Sequence, residues 1–248
     1  ALLMLSNGDH RHLYRSDARR QNEPVIIAVS HYHATDETCG HAPACLVGIY
    51  ALVVLVGVLA VAGGNGGGIS GADSAVGFCR LHGGLVANNS AGTSGGGTYA
   101  ADIDGGAVVS NNVVGRYGGG VYVCGAADKG TNVVVDALVC DNRETRTDGA
   151  GGGVYVAGAG IVSNCVVRGN IAAASGGGVY AYGGNLSDCI ISNNVCRWCG
   201  GGGSNGNYVR CRILANSTTS GAGGVNEPWF LRECVIDWNV GDFGAKNL

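Results

Sequence analysis

Cys196-Arg-Trp-Cys199 carries the sharpest chemical meaning in the chain. Two thiols at that spacing can hold zinc, but a structural zinc site takes four ligands and so needs a second pair. No histidine lies close, so no metal is expected, and a loop disulfide or two free thiols are the readings left. Cys165, Cys189, Cys211 and Cys234 recur at near-constant steps. On neighbouring rungs of a repeat they would lie at a Cα spacing that a disulfide can bridge. Inward thiols acting as small hydrophobes are the simpler reading. Cys39 and Cys45 could close a small loop, and an odd total of 11 cysteines leaves at least one unpaired.

Ionisable groups are scarce. Charged residues make up 13%, the net charge is −3, and Lys129 and Lys246 are the only lysines. That excludes nucleic acid, whose phosphates need clustered cations. The charges gather between Gly118 and Ala150, a stretch about ten residues longer than its neighbours. Insertions in repeat proteins emerge as loops, often on the binding side. Asp128, Lys129, Arg143, Glu144, Arg146 and Asp148 therefore form a candidate binding loop. No cofactor motif is present.

The elements that must position these groups follow from a repeat. Glycine triplets open at Gly66, Gly95, Gly118, Gly151, Gly176 and Gly201, several of them followed by Val-Tyr or Thr-Tyr. Between them stand segments such as Leu-Val-Cys-Asp-Asn and Cys-Ile-Ile-Ser-Asn-Asn. These end at Asn89, Asn112, Asn142, Asn170, Asn194, Asn216 and Asn239, at steps of 22 to 30 residues. Three positions before each Asn comes Val or Ile, and two before that a Gly, Ala or Cys. A period of two puts both columns on one face. The reading is an all-β, right-handed parallel β-helix of about seven coils, with the seven asparagines as an internal ladder that satisfies turn backbone. Tyr99, Tyr122, Tyr155 and Tyr180 are expected to stack.

Gly-Gly-Gly-Val-Tyr alternating with Cys-Ile-Ile-Ser-Asn-Asn resembles the repeats of secreted bacterial β-helix proteins, including polymorphic outer-membrane adhesins and, more broadly, pectate lyase-like proteins. The resemblance covers about residues 66 to 245. It departs from the adhesin pattern where Val or Ile stands in place of a Phe three residues before the Asn. It implies a secreted or surface-displayed, bacterial-type structural or adhesive module without catalysis, whose partner would be a surface glycan or a protein ligand. The alternative it implies is a carbohydrate-active enzyme, a lyase or glycoside hydrolase working on an outer sheet face. Such enzymes use clustered carboxylates with calcium or a general acid, plus a basic residue. The candidates here are Asp102, Asp104, Asp136, Asp141 and Arg168, which nothing in the sequence brings together, so no catalytic residue is assigned.

Residues 1–44 carry no repeat and hold His10, His12, His31, His33 and His41; residues 63–248 are expected to be the β-helix. Between them Leu46 to Ala62 form an uncharged apolar stretch of 17 residues. It is long enough to be marginal as a membrane span and resembles an export signal ending in Ala60-Val61-Ala62. A cap over the first rung is the competing reading. The start at Ala1 rather than Met points to a fragment of a longer protein.

The inward columns carry a corollary. The column between them must face out, and it reads Leu85, Val108, Leu138, Val166, Ile190, Arg212 and Val235. An apolar strip of that length is expected to be covered, by the segment around Leu46 to Ala62, by lateral self-association with a second β-helix or by the remainder of a longer chain; the alternative is a shift in strand phase that turns the column inward.

Overall fold

Val and Ile favour pleated backbone, while Gly, Asn and Asp break it at turns. Because the two classes alternate every few residues here, the strands are short, two to four residues each. The computed structural model describes residues 51–52, 61–71, 79–126 and 130–242. Within them there is no helix, and all strands but two pair in parallel with strands of neighbouring coils.

Each coil passes through four strands, as Val154–Ala157, Ile161–Ser163, Val166–Arg168 and Ile171–Ala172 illustrate. We name the resulting faces in that order: the tyrosine face, then the second, third and fourth faces. Eight strands stack on the second face and seven on each of the others. Seven stacked strands are joined by six turns, so the chain forms a parallel β-helix of about six turns.

Register explains the core. On the third face Val139, Val167, Ile191 and Ile213 follow one another directly across the stack, all fully buried. Ala107, Ala137, Cys165, Cys189 and Cys211 line the interior beside them. From the second face come Leu81, Ile103, Val134, Val162, Leu186 and Tyr208, and from the tyrosine face Val121, Val154 and Val179. The nine described cysteines are free thiols. Cys165 Sγ donates to Ser163 O at 3.1 Å and Cys189 Sγ to Ser187 O at 3.2 Å, which gives two of the inward thiols backbone acceptors on their own coils.

At the corner between the third and fourth faces the asparagines meet. Asn170 shows the unit: its backbone N–H and its Nδ2 donate to Asn194 Oδ1 at 2.9 and 3.0 Å, and Nδ2 donates also to Val139 O at 3.0 Å. One side chain thus satisfies Val139 O and, through its Oδ1, the N–H of Asn142 on the preceding coil, while bonding the Asn194 side chain on the coil after. The residue ahead of each ladder Asn has positive φ: Asn88, Asn111, Asp141, Gly169, Asn193, Ala215 and Trp238. Asn, Asp and Gly take that conformation at least cost, which accounts for the recurring Asn-Asn pairs. In the triplets the first glycine turns the chain (φ 73° at Gly151). The second lies so close to the next coil that a Cβ on Gly152 would strike Gly177 O.

Two short pieces of the apolar segment join the stack. Ala51–Leu52 pairs with Cys79 and Arg80, and Val61–Ala62 with Ser90 and Ala91, each in parallel. These residues are therefore rungs and not a strip laid across an outer face. Residues 53–60, the five N-terminal histidines, Cys39 and Cys45 lie outside the described residues. Among those described, no helix is long and apolar enough to cross a membrane.

Candidate functional site

On the tyrosine face, outward side chains in register sit one strand spacing apart, about 4.8 Å, which suits stacked rings. Tyr99 and Tyr122 have centroids 4.9 Å apart, Tyr122 and Tyr155 5.2 Å, and Tyr155 and Tyr180 5.5 Å, the last pair only 5° from parallel. Burial raises the Tyr122 phenol to about 12, helped by neighbouring Tyr99, and pushes Tyr155 and Tyr180 up as well.

The long coil adds two excursions rather than one loop. The first leaves the tyrosine face after Val121–Val123 as a two-stranded antiparallel ribbon, Gly125–Ala126 against Gly130–Thr131. The second, residues 145–149, lies between Arg143–Glu144 of the fourth face and the tyrosine strand Val154–Ala157. They border the tyrosine face on its two sides. Of the candidate loop, Asp128 and Lys129 lie outside the described residues, Arg143 is exposed on the fourth face, and Glu144 points inward and is fully buried. Arg146 and Asp148 come together. Asp148 is held by Arg146 (Nε to Oδ1, 2.8 Å) and by Arg116 of the preceding coil (Nη2 to Oδ2, 2.6 Å). Hydrogen bonds from Arg146 and Arg116 keep its carboxyl at about 2.

A groove opens beside this cluster. The corner position ahead of each tyrosine strand is occupied in successive coils by Tyr117, Ala150, Ser175 and Cys199. The small side chains at 150 and 175 leave a hollow next to Tyr117, whose ring tilts against Tyr155 at 4.8 Å. The groove measures about 390 Å³ and is lined by Tyr117, Tyr155, Tyr180, Tyr182 and Trp198, with Thr147, Asp148 and Ser175 as polar groups. Tyr182 is 61% exposed and Trp198 47%, so these rings present free surface to solvent. Trp229, also exposed, packs edge-on to Tyr182 at 6.3 Å.

The residues implied by the enzyme reading do not assemble here. Asp102 on the second face accepts from Val133 N at 2.9 Å, and Asp104 is paired with Arg80 and with His82 Nδ1 at 2.5 Å. Partial burial works against ionisation of Asp104, but the Arg80 and His82 bonds outweigh it and lower its pKa. Asp136 accepts from Asn164 Nδ2 at 2.6 Å, in a turn beyond the second face. Asp141 and Arg168 are exposed at the third face. Among the described residues Asp148 is the only carboxylate lining the groove, and each of its oxygens accepts a bond from arginine. Among the described residues no cluster of three or more His, Cys, Asp or Glu side chains could hold a metal.

The groove itself was missed by sequence reasoning. Its signal was the drop from Tyr117 to Ala150 and Ser175 in one column, visible only once the register across the long coil is known. Comparison of the chain with protein-family models, curated proteins and solved structures finds no match.

Proposed function

We propose that the chain is a secreted or surface-displayed structural and adhesive module, without chemistry of its own, whose aromatic groove holds a segment of glycan. The observation that carries this is the groove's lining: five aromatic side chains beside a few polar groups in an open channel. Pyranose rings offer apolar C–H faces to aromatic surfaces and hydroxyls to oxygen acceptors, so concave sites of mixed aromatic and polar lining suit them. Asp148, kept ionised by two arginines, is a charge-assisted acceptor for a sugar hydroxyl. The same pairing unsuits it to give or take a proton near neutral pH. A β-helix supplies the rigidity, since successive coils lock the tyrosine strands in register.

The resemblance to adhesin repeats agrees with this reading, and the pectate lyase-like alternative would need a carboxylate free to act on the bound chain. Screening the protein against an immobilised panel of neutral and acidic glycans tests the proposal. Binding that Trp198→Ala and Tyr182→Ala weaken together supports it; glycan cleavage lost on Asp148→Asn would favour the enzyme.

A second reading concerns self-association. The outward strip is half-buried from Leu85 to Val166 and exposed at Ile190, Arg212 and Val235. Beside it on the fourth face Val113, Ile171 and Val195 are exposed too. Arg143 stands between Val113 and Ile171 in that column, so the apolar surface is broken, but exposed aliphatic side chains on two adjoining faces favour lateral pairing of β-helices. Sedimentation of the native chain and of an Ile190→Glu, Val195→Glu variant checks it.

A further inference from the structure

The groove occupies one corner of the tyrosine face and reaches Tyr182 near the other. At that far corner Tyr182 ends the strand Val179–Tyr182, and two coils later Trp229 precedes Phe230–Arg232. The coil between them carries Gly206 here. Its carbonyl accepts the Trp229 N–H at 2.9 Å, and a Cβ on it would strike Ala181. With no side chain on that rung, the two rings lean over it and meet edge-on, centroids 6.3 Å apart, across two strand spacings of roughly 10 Å in all. Both rings remain more than half exposed. Their contact therefore leaves most of each aromatic surface to solvent.

The column of outward tyrosines stops at the same place. After Tyr180 it continues as Ser204 and then Asn226. The floor beside the Tyr182–Trp229 pair is thus low and polar, and the half-buried Asn226 amide can bond a hydroxyl as donor or acceptor. Tyr182 belongs to both features, since it lines the groove and makes half of the pair. Tyr180 and Tyr182 stand two residues apart on one strand, about 7 Å. A chain that leaves the groove over Tyr182 towards the later coils meets Trp229 next.

We propose that Tyr182 and Trp229 form a second sugar subsite continuous with the groove, so that the ligand is a neutral oligosaccharide spanning both and not a single sugar. This rests on the glycan reading above. The charges select a neutral chain. The groove lining holds the Asp148 carboxylate and, among the described residues, no cation. Arg116 and Arg146 turn their guanidinium groups to Asp148, and Arg197, though exposed next to Trp198 in sequence, is not part of the lining. At the second subsite Glu227 is exposed two residues before Trp229. A uronate or sulfated chain would meet a carboxylate at each subsite. Two subsites fixed in one rigid sheet act as linked binding events: once the groove is filled the second contact is intramolecular, so affinity grows with chain length until both are covered.

Calorimetric titration of the native chain with glucose, mannose and xylose oligomers of one to six units tests this. In a series that binds, affinity should rise about tenfold or more between the shortest oligomer bound and the hexamer. Trp229→Ala should cost about tenfold for the hexamer and progressively less as the chain shortens. Should that variant not fold, Trp198→Phe with Trp238→Phe leaves Trp229 as the sole indole. Its emission should then respond to the hexamer, and a hexamer that binds without moving it overturns the proposal. So does equal affinity at every length, a Trp229→Ala loss that is the same at every length, or tighter binding of uronic acid oligomers than of neutral ones; each of these leaves the glycan reading standing. No binding by any oligomer, together with no retention on the immobilised panel, removes that reading and the second subsite with it.

Discussion

The Nδ2 of Asn194 lies 3.0 Å from Oδ1 of Asn216, one coil further along, and the same contact links each rung from Asn89 to Asn239. Within the column Asn194 gives one Nδ2 hydrogen to the asparagine after it and accepts at Oδ1 from the one before, its second hydrogen going to Val167 O of the preceding coil. This makes the ladder a continuous chain of buried hydrogen bonds and not a set of separate caps.

Removing one rung should therefore cost more than one bond. Asn194→Leu strands the N–H and Nδ2 of Asn170 and the carbonyl of Val167. At about 1–3 kcal/mol for a buried group left unpaired, the loss should be on the order of 3 kcal/mol or more. Ser192→Leu, two residues earlier and outward on the third face, should change stability by less than about 0.5 kcal/mol. Urea denaturation of the two variants separates them, and similar losses would mean that the inward column is misplaced.

Alkaline titration reads the tyrosine stack. With its pKa raised to about 12, the Tyr122 phenol should ionise well after an ordinary tyrosine, and Tyr155 later still. Phenols that resist ionisation in the fold but not in the unfolded chain contribute stability that is full below pH about 10 and declines above it. Ultraviolet difference spectra should show an early class of exposed phenols and a late class that releases only as the protein unfolds. A single transition near 10 would mean that the rings do not stack.

Thiol accessibility checks the interior. Cys165, Cys189 and Cys211 are buried within the core, while Cys199 is partly exposed at the corner beside the groove. In the native protein an aromatic disulfide reagent should modify Cys199 readily and the three core thiols only at the rate of unfolding. Rapid reaction of Cys189, identified by peptide mapping, would contradict the register on the third face.

Much of this architecture was legible in the sequence because the inward columns repeat residue type as well as position. Val or Ile three places before each Asn, and a small residue two before that, can be aligned by eye across insertions of several residues. The tyrosine stack was legible for the same reason. The groove was not, because it arises where large side chains stop. Tyr117, Ala150 and Ser175 share a column but lie 33 and 25 residues apart, and only the backbone register shows them as neighbours. The long coil was recognisable as an insertion, yet its extra residues divide between two corners; among the described residues of the candidate loop Arg146 pairs with Asp148, and Asp148 lines the groove. Glu144 stood in the sequence as one residue of the candidate binding loop. Its inward direction follows from the alternation Asn142 in, Arg143 out, Glu144 in, which the ladder asparagine fixes.

The central claim is that the aromatic groove holds a saccharide, and the fluorescence of Trp198 tests it most directly. With Trp229→Phe and Trp238→Phe in place, Trp198 is the sole indole and lies in the lining. Titration with neutral oligosaccharides at pH 6 should give a saturable change in its emission, and Tyr180→Ala should weaken the apparent affinity about tenfold, as expected when a ring worth roughly 1–1.5 kcal/mol is lost. Emission that stays unchanged across the panel, or a change that Tyr180→Ala leaves intact, would contradict the account.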